Sequence, residues 1–284
     1  MQWRALFSAV KEITPQQVRE YIQGRSGQEF QLVDVRQPGE YAGGHLAGAL
    51  LLPLKDLPER AGELDPKQPT IVYCAVGGRS RAAAQLLQGL GFVEVYNMPG
   101  GIKAWEGRVA SGPEDIDLEL FTGEEEYRDG VALAYAMEEG LQRFYLGLAM
   151  RAEGEQERAL FQRLAGFEEF HKSRLRAEFT RAHGPETLLP EGSAIMEGGS
   201  QVDALLHRVS ALSLGPAAIL DLAMALETQA LDLYSRMARK SAKPESGALF
   251  LALADEEKGH LRQLAEELER LLGEPGPGGD EARE

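Results

Sequence analysis

Tyr73-Cys74-Ala75-Val76-Gly77-Gly78-Arg79-Ser80-Arg81 holds the only cysteine of a 284-residue chain. Upstream, Pro69-Thr70-Ile71-Val72-Tyr73 is β-branched and apolar without alternation, the pattern of a short, fully buried strand. Downstream, Ser80 to Leu90 carries alanines and leucines at helical spacing and stops at Gly91, a C-cap residue. The cysteine is therefore expected where a strand passes into a tight loop that opens a helix. Gly77 and Gly78 let such a loop curl so that its backbone N–H groups converge. Those donors, the positive helix end and Arg79 would all stabilise an anion at the sulfur. Surroundings of that kind lower a thiol's pKa and populate the nucleophilic thiolate. A lone cysteine is more often a small buried apolar residue; the strand, glycine loop, arginine and helix around this one favour the nucleophile.

Working outward, Thr14-Pro15 supplies an N-cap and a first-turn proline for a helix to about Tyr21. Strands are expected near Phe30–Val35, Ala49–Leu52 and Val93–Tyr96. Strands alternating with helices imply a mainly parallel sheet with helices on both faces, and the cysteine at the carboxyl end of a strand. Several further stretches carry a resemblance: Leu32-Val33-Asp34-Val35-Arg36, Glu40-Tyr41, Gly44-His45-Leu46-Ala47-Gly48-Ala49 and Gly100-Gly101-Ile102-Lys103-Ala104-Trp105. With the Cys74 loop they make residues 10–107 resemble the rhodanese sulfurtransferases. The resemblance implies that Cys74 accepts a sulfane sulfur as a persulfide and passes it to an acceptor. Thiosulfate or a small persulfide would be the donor, and a thiol or cyanide the acceptor. Arg79 would assist Cys74, and Ala75, Val76, Gly77, Gly78 and Ser80 would form the substrate loop, Ser80 also capping the following helix. Four residues separate Cys74 from Arg79, whereas the related phosphatase and arsenate-reductase loops have five, a wider cradle suited to a tetrahedral oxyanion. Asp34, Arg36, Glu40 and His45 read mainly as scaffold.

The chain carries 30 Lys+Arg against 45 Asp+Glu, a net charge of −15. Residues 1–112 are close to neutral, with 12 basic and 11 acidic residues, whereas residues 113–284 hold 18 and 34. A half that acidic repels nucleic acid and anionic membrane. The sequence has no 18-residue apolar run and no leader-like N-terminus in Met1–Phe7, which favours the cytoplasm. The length argues for two domains. The expected division is 1–110, a polar linker at 111–119, a helical domain at 120–273 and a disordered tail at 274–284.

Beyond the linker the pattern is helical. Thr122-Gly123-Glu124-Glu125 forms a capping box for a helix to about Arg151. A second helix spans roughly Glu153 to Ala182, and a Gly/Pro/Ser-rich connection over 183–199 leads to a short helix through Leu212. Third and fourth long helices are expected from Pro216 to about Lys240 and from Pro244 to Gly273. These helices repeat: Glu138, Tyr145, Glu168 and His171 recur 89 residues on as Glu227, Tyr234, Glu257 and His260. Phe161 and Phe250, Leu164 and Leu253, and Ala165 and Ala254 keep the same offset. Glu and His three apart share one helix face. The spacing therefore turns Glu138 and Glu227, each from its own helix, and two Glu-x-x-His pairs toward one axis. Six such ligands suit two closely spaced divalent ions. Any one of these residues alone would read as solvated surface; the set, among apolar neighbours such as Met137, Leu141, Leu164, Leu226 and Leu253, does not. Glu139, Glu169 and Glu256 break the symmetry or the spacing and fall outside it.

Residues 120–272 resemble the ferritin-like di-iron carboxylate proteins, rubrerythrin most of all, with Leu253-Ala254-Asp255-Glu256-Glu257-Lys258-Gly259-His260 the most similar stretch. The resemblance implies two iron ions, with manganese or zinc as alternatives, oxygen or peroxide at the metals, and a dimer through the bundle. Ala230 stands where rubrerythrins carry a further glutamate, so the ligand set is closer to bacterioferritin's symmetric pair. One cysteine cannot build the rubredoxin-type iron site of rubrerythrins, so an external electron donor is expected. Tyr145 and Tyr234 would hydrogen-bond ligand carboxylates. The sequence thus implies an α/β rhodanese-like domain followed by an all-α ferritin-like four-helix bundle. Its expected role is sulfur transfer joined to a di-iron oxidase or peroxidase, in sulfur or oxidative-stress metabolism. A ferroxidase with an accessory sulfur domain, or a persulfide sensor, is the alternative.

Overall fold

The computed structural model describes residues 10–114, 127–152, 154–184, 196, 202–210, 215–241 and 244–273. The Met1–Phe7 terminus, residues 115–119 of the linker, the Thr122–Glu125 capping box, nearly all of the 185–199 connection and the 274–284 tail lie outside them. By its internal contacts the chain divides into two compact units. One comprises Met1–Gly123 with Thr228–Glu256, the other Glu124–Glu227 with Glu257–Glu284.

In the first unit five strands form one parallel sheet: β1 (Lys11–Glu12), β2 (Gln31–Asp34), β3 (Leu50–Leu51), β4 (Thr70–Tyr73) and β5 (Val95–Asn97). Their order is β1-β5-β4-β2-β3. Central β4 pairs with β2 through Leu32↔Ile71 and Val33↔Val72, and with β5 through Val72↔Asn97. All four residues of β4 are buried, as the run without alternation requires of a strand covered on both faces. Ile71 and Tyr73 enter one apolar cluster with Val18, Phe30 and Leu51, while Val72 and Cys74 enter the other with Leu57, Ala84 and Leu87. Helices α1 (Pro15–Gln23), α2 (Pro38–Ala42), α3 (Leu57–Arg60) and α4 (Gly78–Gly89) connect the strands. Thr14 caps α1 as its sequence implies, accepting from the Gln17 amide. Strand β1 and the short α2 and α3 are additions to the sequence reading. Lys11 and Glu12 are both exposed and leave no apolar signature.

The long helices follow the expected boundaries: α5 (Tyr127–Arg151), α6 (Glu155–His183), the short α7 (Val202–Ser210), α8 (Pro216–Lys240) and α9 (Pro244–Gly273). In the second unit α5 and α6 pack along their length, around Leu141, Phe144, Leu148, Leu160, Leu164, Ile219, Ala223 and Leu264. Each leucine, isoleucine or phenylalanine among them, fully buried, contributes about 1.5–3 kcal/mol against exposure. In the first unit, Tyr234 of α8 and Phe250 of α9 stack with ring centroids 6.5 Å apart. Among the described residues no helix is long and apolar enough to cross a membrane.

Candidate functional sites

Cys74 is the first residue after β4, and α4 begins four residues later. The turn between them is held by its glycines. Gly77 adopts φ 99°, and Gly101, at φ 57°, presses so close that a Cβ would lie 2.2 Å from the Cys74 carbonyl oxygen. The 101–103 turn braces the loop from that side, Ile102 N–H donating to Cys74 O (2.8 Å) and Lys103 N–H to Ala75 O (3.2 Å). Cys74 itself is buried, 1% exposed. The Gly77 amide donates to Sγ at 3.1 Å, and Ser80 Oγ stands 3.5 Å away. Burial pushes the thiol up. The Ser80 side chain and the amides of Ser80, Val76 and Gly77 outweigh it and leave the pKa below the ordinary thiol value. The loop therefore carries its donors inward, and Val76 at its rim is 60% exposed.

One expectation changes here, and one contact is added. Ser80 does not cap α4: the N-cap is Gly77, and Ser80 lies within the first turn. Its hydroxyl approaches Asn97 Oδ1 (2.6 Å) and Gly77 O (3.2 Å) as well as the sulfur. Arg79 interacts with Cys74 and with Glu40 as well. Its guanidinium forks onto Glu40 of α2 through two 2.7 Å bonds, which raise its own pKa and hold the Glu40 carboxyl at about 2. Glu40 carries only a scaffold signal in the sequence, and Asn97 carries none of its own. Asn97 reaches Ser80 only because β5 pairs with β4 in the register that sets it opposite Val72. Asp34 and Arg36 form the buried pair expected of them, at 2.7–3.0 Å, and Arg36 also donates to Gly44 O (2.6 Å).

In the second unit the six repeated residues converge. Glu138 comes from α5, Glu168 and His171 from α6, Glu227 from α8, and Glu257 and His260 from α9. The four carboxylates and His171 are each 1% exposed, His260 12%. His171 Nδ1 lies 3.2 Å from Glu138, 4.0 Å from Glu168 and 3.5 Å from Glu257. His260 Nδ1 lies 3.6 Å from Glu227 and 3.4 Å from Glu257. The two imidazoles stack at 4.7 Å, and Phe167 stacks on the outer side of His260 at 4.9 Å. Ligand atoms of Glu138, Glu168 and His171 fall within 4.8 Å of one another, as do those of His171, Glu257 and His260. Tyr145 is buried on α5 in this unit, whereas Tyr234 belongs to the other unit.

Electrostatics at this cluster runs against the protein. Burial, then Glu227, Glu138 and Glu168, push Glu257 well above the usual carboxylate range. Burial lowers the His171 imidazole, but Glu138 and Glu227 outweigh it and leave it raised. Glu227 Oε1 and His260 Nδ1 are buried without a hydrogen-bond partner. Four carboxylates buried this close together are costly unless cations take the place of protons. Mixed carboxylate and imidazole donors in this number fit a pair of iron, manganese or zinc ions.

Against known proteins, a rhodanese-like domain model matches residues 14–108 and a rubrerythrin model matches residues 218–281. The uncharacterized protein YqhL of Bacillus subtilis (strain 168) is 44% identical over 79 residues, 28% of this chain and 63% of that protein, under two thirds of its length. The thiosulfate sulfurtransferase GlpE of Ectopseudomonas mendocina (strain ymp) is 38% identical over 104 residues, 37% of this chain and 92% of that protein. The crystal structure of a rhodanese-like domain protein from Staphylococcus aureus, 28% identical, covers 36% of this chain and 98% of its own, with a TM-score of 0.33. The chain belongs to the rhodanese-like family through residues 14–108, and it joins that domain to a rubrerythrin domain.

Proposed function

We propose that the protein is a sulfurtransferase that carries sulfane sulfur on Cys74, fused to a bundle that holds two iron ions. The observation that carries the reading is the convergence of amide and hydroxyl donors on one buried sulfur whose thiol is held below its ordinary pKa. The Cys74 thiolate attacks the outer sulfur of thiosulfate. A new S–S bond forms, the old one breaks, and its electron pair leaves with sulfite. Cyanide or a small thiolate then attacks the terminal sulfur, and the pair of the broken bond returns to Sγ. The Gly77 amide and its neighbours face Sγ when it is the thiolate, before attack and again after the sulfur has left, a preorganised donor set of the kind that stabilises developing charge. Arg79, held by Glu40, supplies positive charge near the entrance for an anionic donor.

In the bundle, Glu138, Glu168, Glu227 and Glu257, with His171 and His260, would hold two iron ions, the carboxylates offsetting their charge. Bound iron would supply one-electron chemistry toward oxygen or peroxide at that centre. Phe167, stacked on His260, excludes water from one side of its ring. The domain limits that go with this reading are 1–110 for sulfur transfer and 120–273 for the metals.

The test uses one preparation of the full chain. Thiosulfate should add one sulfur atom to Cys74 by mass, cyanide should remove it as thiocyanate, and elemental analysis should find two metal ions per chain. A Cys74 that gains no sulfur from thiosulfate or from a small persulfide would overturn the sulfur-transfer reading.

A further inference from the structure

Helix α8 carries a polar stripe, Asp232, Ser235, Arg236 and Arg239, at the i, i+3, i+4, i+7 spacing of one helix face. Most of α8 around it is buried, and Asp232 and Arg236 are themselves 1% and 4% exposed. Buried charges on such a helix need dedicated partners. Here they lie within the same compact unit, on the loop that follows α2. Gly48 N–H donates to Asp232 Oδ1 at 2.9 Å, and His45 Nε2 faces Asp232 Oδ2 at 3.2 Å. Arg236 Nε donates to the same Oδ2 at 2.8 Å. Arg239 donates to Gly48 O (2.8 Å) and Ala49 O (3.3 Å). Charge and dipole are opposed across the contact: the carboxylate meets an amide and an imidazole, and the Arg239 guanidinium meets two carbonyls.

The loop is shaped for this approach. Gly48 takes φ 77°, and a Cβ there would lie 3.1 Å from Ser235 Oγ. The His45 ring stacks on Tyr41 at 3.5 Å and 9°, its Nδ1 bonds Tyr41 O at 2.9 Å, and the Tyr41 hydroxyl donates to Ala49 O at 3.1 Å. Two flanking contacts extend the seat, Ser26 Oγ to Asp255 of α9 (2.7 Å) and Ser111 N–H to Gln229 of α8 (2.9 Å).

We propose that the Asp232–Arg239 stripe of α8 is an internal docking surface whose occupant is the His45–Ala49 loop. The rhodanese-like segment is thereby seated on the rubrerythrin segment's own helix rather than merely tethered to it. Tyr41, clamped by the docked loop, adjoins Glu40, which holds Arg79 beside the Cys74 loop. The helix is in this way part of the scaffold behind the sulfur site. The proposal stands on the contact geometry alone and does not depend on the sulfur-transfer reading.

The experiment is amide hydrogen exchange on the metal-loaded full chain, read at Gly48, for wild type, Asp232→Ala and Arg239→Ala. Loss of the acceptor should speed Gly48 exchange by about tenfold or more in Asp232→Ala, with a smaller increase, about threefold, in Arg239→Ala. Amides of Ala83 and Ala84 in α4 should keep wild-type protection, showing that only the seat has opened. Arg239 donates to backbone carbonyls, so its loss strands no buried carboxylate, and that variant decides the matter if Asp232→Ala fails to fold. Gly48 exchange at the wild-type rate in Arg239→Ala, and in Asp232→Ala where it folds, would overturn the dock.

Discussion

The sulfur loop and the carboxylate cluster meet opposite charge problems in opposite ways. At Cys74 one buried sulfur is surrounded by donors drawn from one short stretch, Val76 to Ser80, so its anion is satisfied by the protein alone. At the cluster four carboxylates come from four helices, and burial, then their mutual repulsion, drives Glu257 upward. The first site is satisfied by the protein's own donors, whereas the second would need cations to offset its charge. The two should therefore fail independently, and differently, when single residues are changed.

The largest expected effect is at the nucleophile. Cys74→Ser should lower sulfur transfer by about a thousandfold or more, because a hydroxyl is a far weaker nucleophile than a thiolate. Metal content by elemental analysis should stay at the wild-type value. A parallel loss of metal would break the independence of the two sites.

Gly101→Ala comes next. The added methyl collides with the Cys74 carbonyl, and the loop must shift to admit it. A misplaced donor set costs on the order of a hundredfold in rate, read as sulfur transfer per folded protein with metal content unchanged. The cluster is tested by His171→Ala and His260→Ala. Each should weaken one of the two metals by on the order of 10–100-fold, since each removes one imidazole from a matched set. Similar losses would support the repeat. A loss confined to His171 would show that His260, the more exposed of the two at 12%, stands outside the site.

The two sites also differ in how far the residues foretold them. The loop was legible because strand, glycines and helix are contiguous, and its geometry follows from local rules. The cluster was legible because the 89-residue repeat stands in for three-dimensional proximity: residues at equal places on paired helices must face one axis. What neither device could reach is pairing between segments unrelated by contiguity or repeat. Glu40 meets Arg79 across 39 positions, and Asn97 meets Ser80 through sheet register. Asp232 lies 184 positions from Gly48, and nothing in its helical pattern names the loop it receives. The error over Ser80 has a local cause. A serine three residues past the true N-cap resembles a cap in composition, but Gly77 at φ 99° has already started the helix.

The smallest effects probe the fine tuning of the sulfur. Ser80→Ala removes one of the groups holding the thiol below its ordinary value, so the midpoint of Cys74 alkylation against pH should move up. Sulfur transfer near neutral pH should then fall severalfold with the thiolate fraction. Glu40→Gln acts on the entrance instead. The Glu40 carboxyl, at about 2, is ionised across the working range, and its folded value is depressed below the unfolded one. Its stabilising share is therefore present above the unfolded pKa and fades only as pH falls toward 2. No inflection from Glu40 is expected in a pH–rate profile between about 4 and 8. Removing its charge leaves Arg79 unneutralised before an incoming dianion, in a pair about a third exposed and thus partly screened. KM for thiosulfate should fall about twofold to threefold at low salt, with kcat unchanged, and the gain should vanish at high ionic strength. A rise in KM would instead show that Glu40 matters for holding the guanidinium in place. The loop would then depend, like the cluster, on a partner brought from far along the chain.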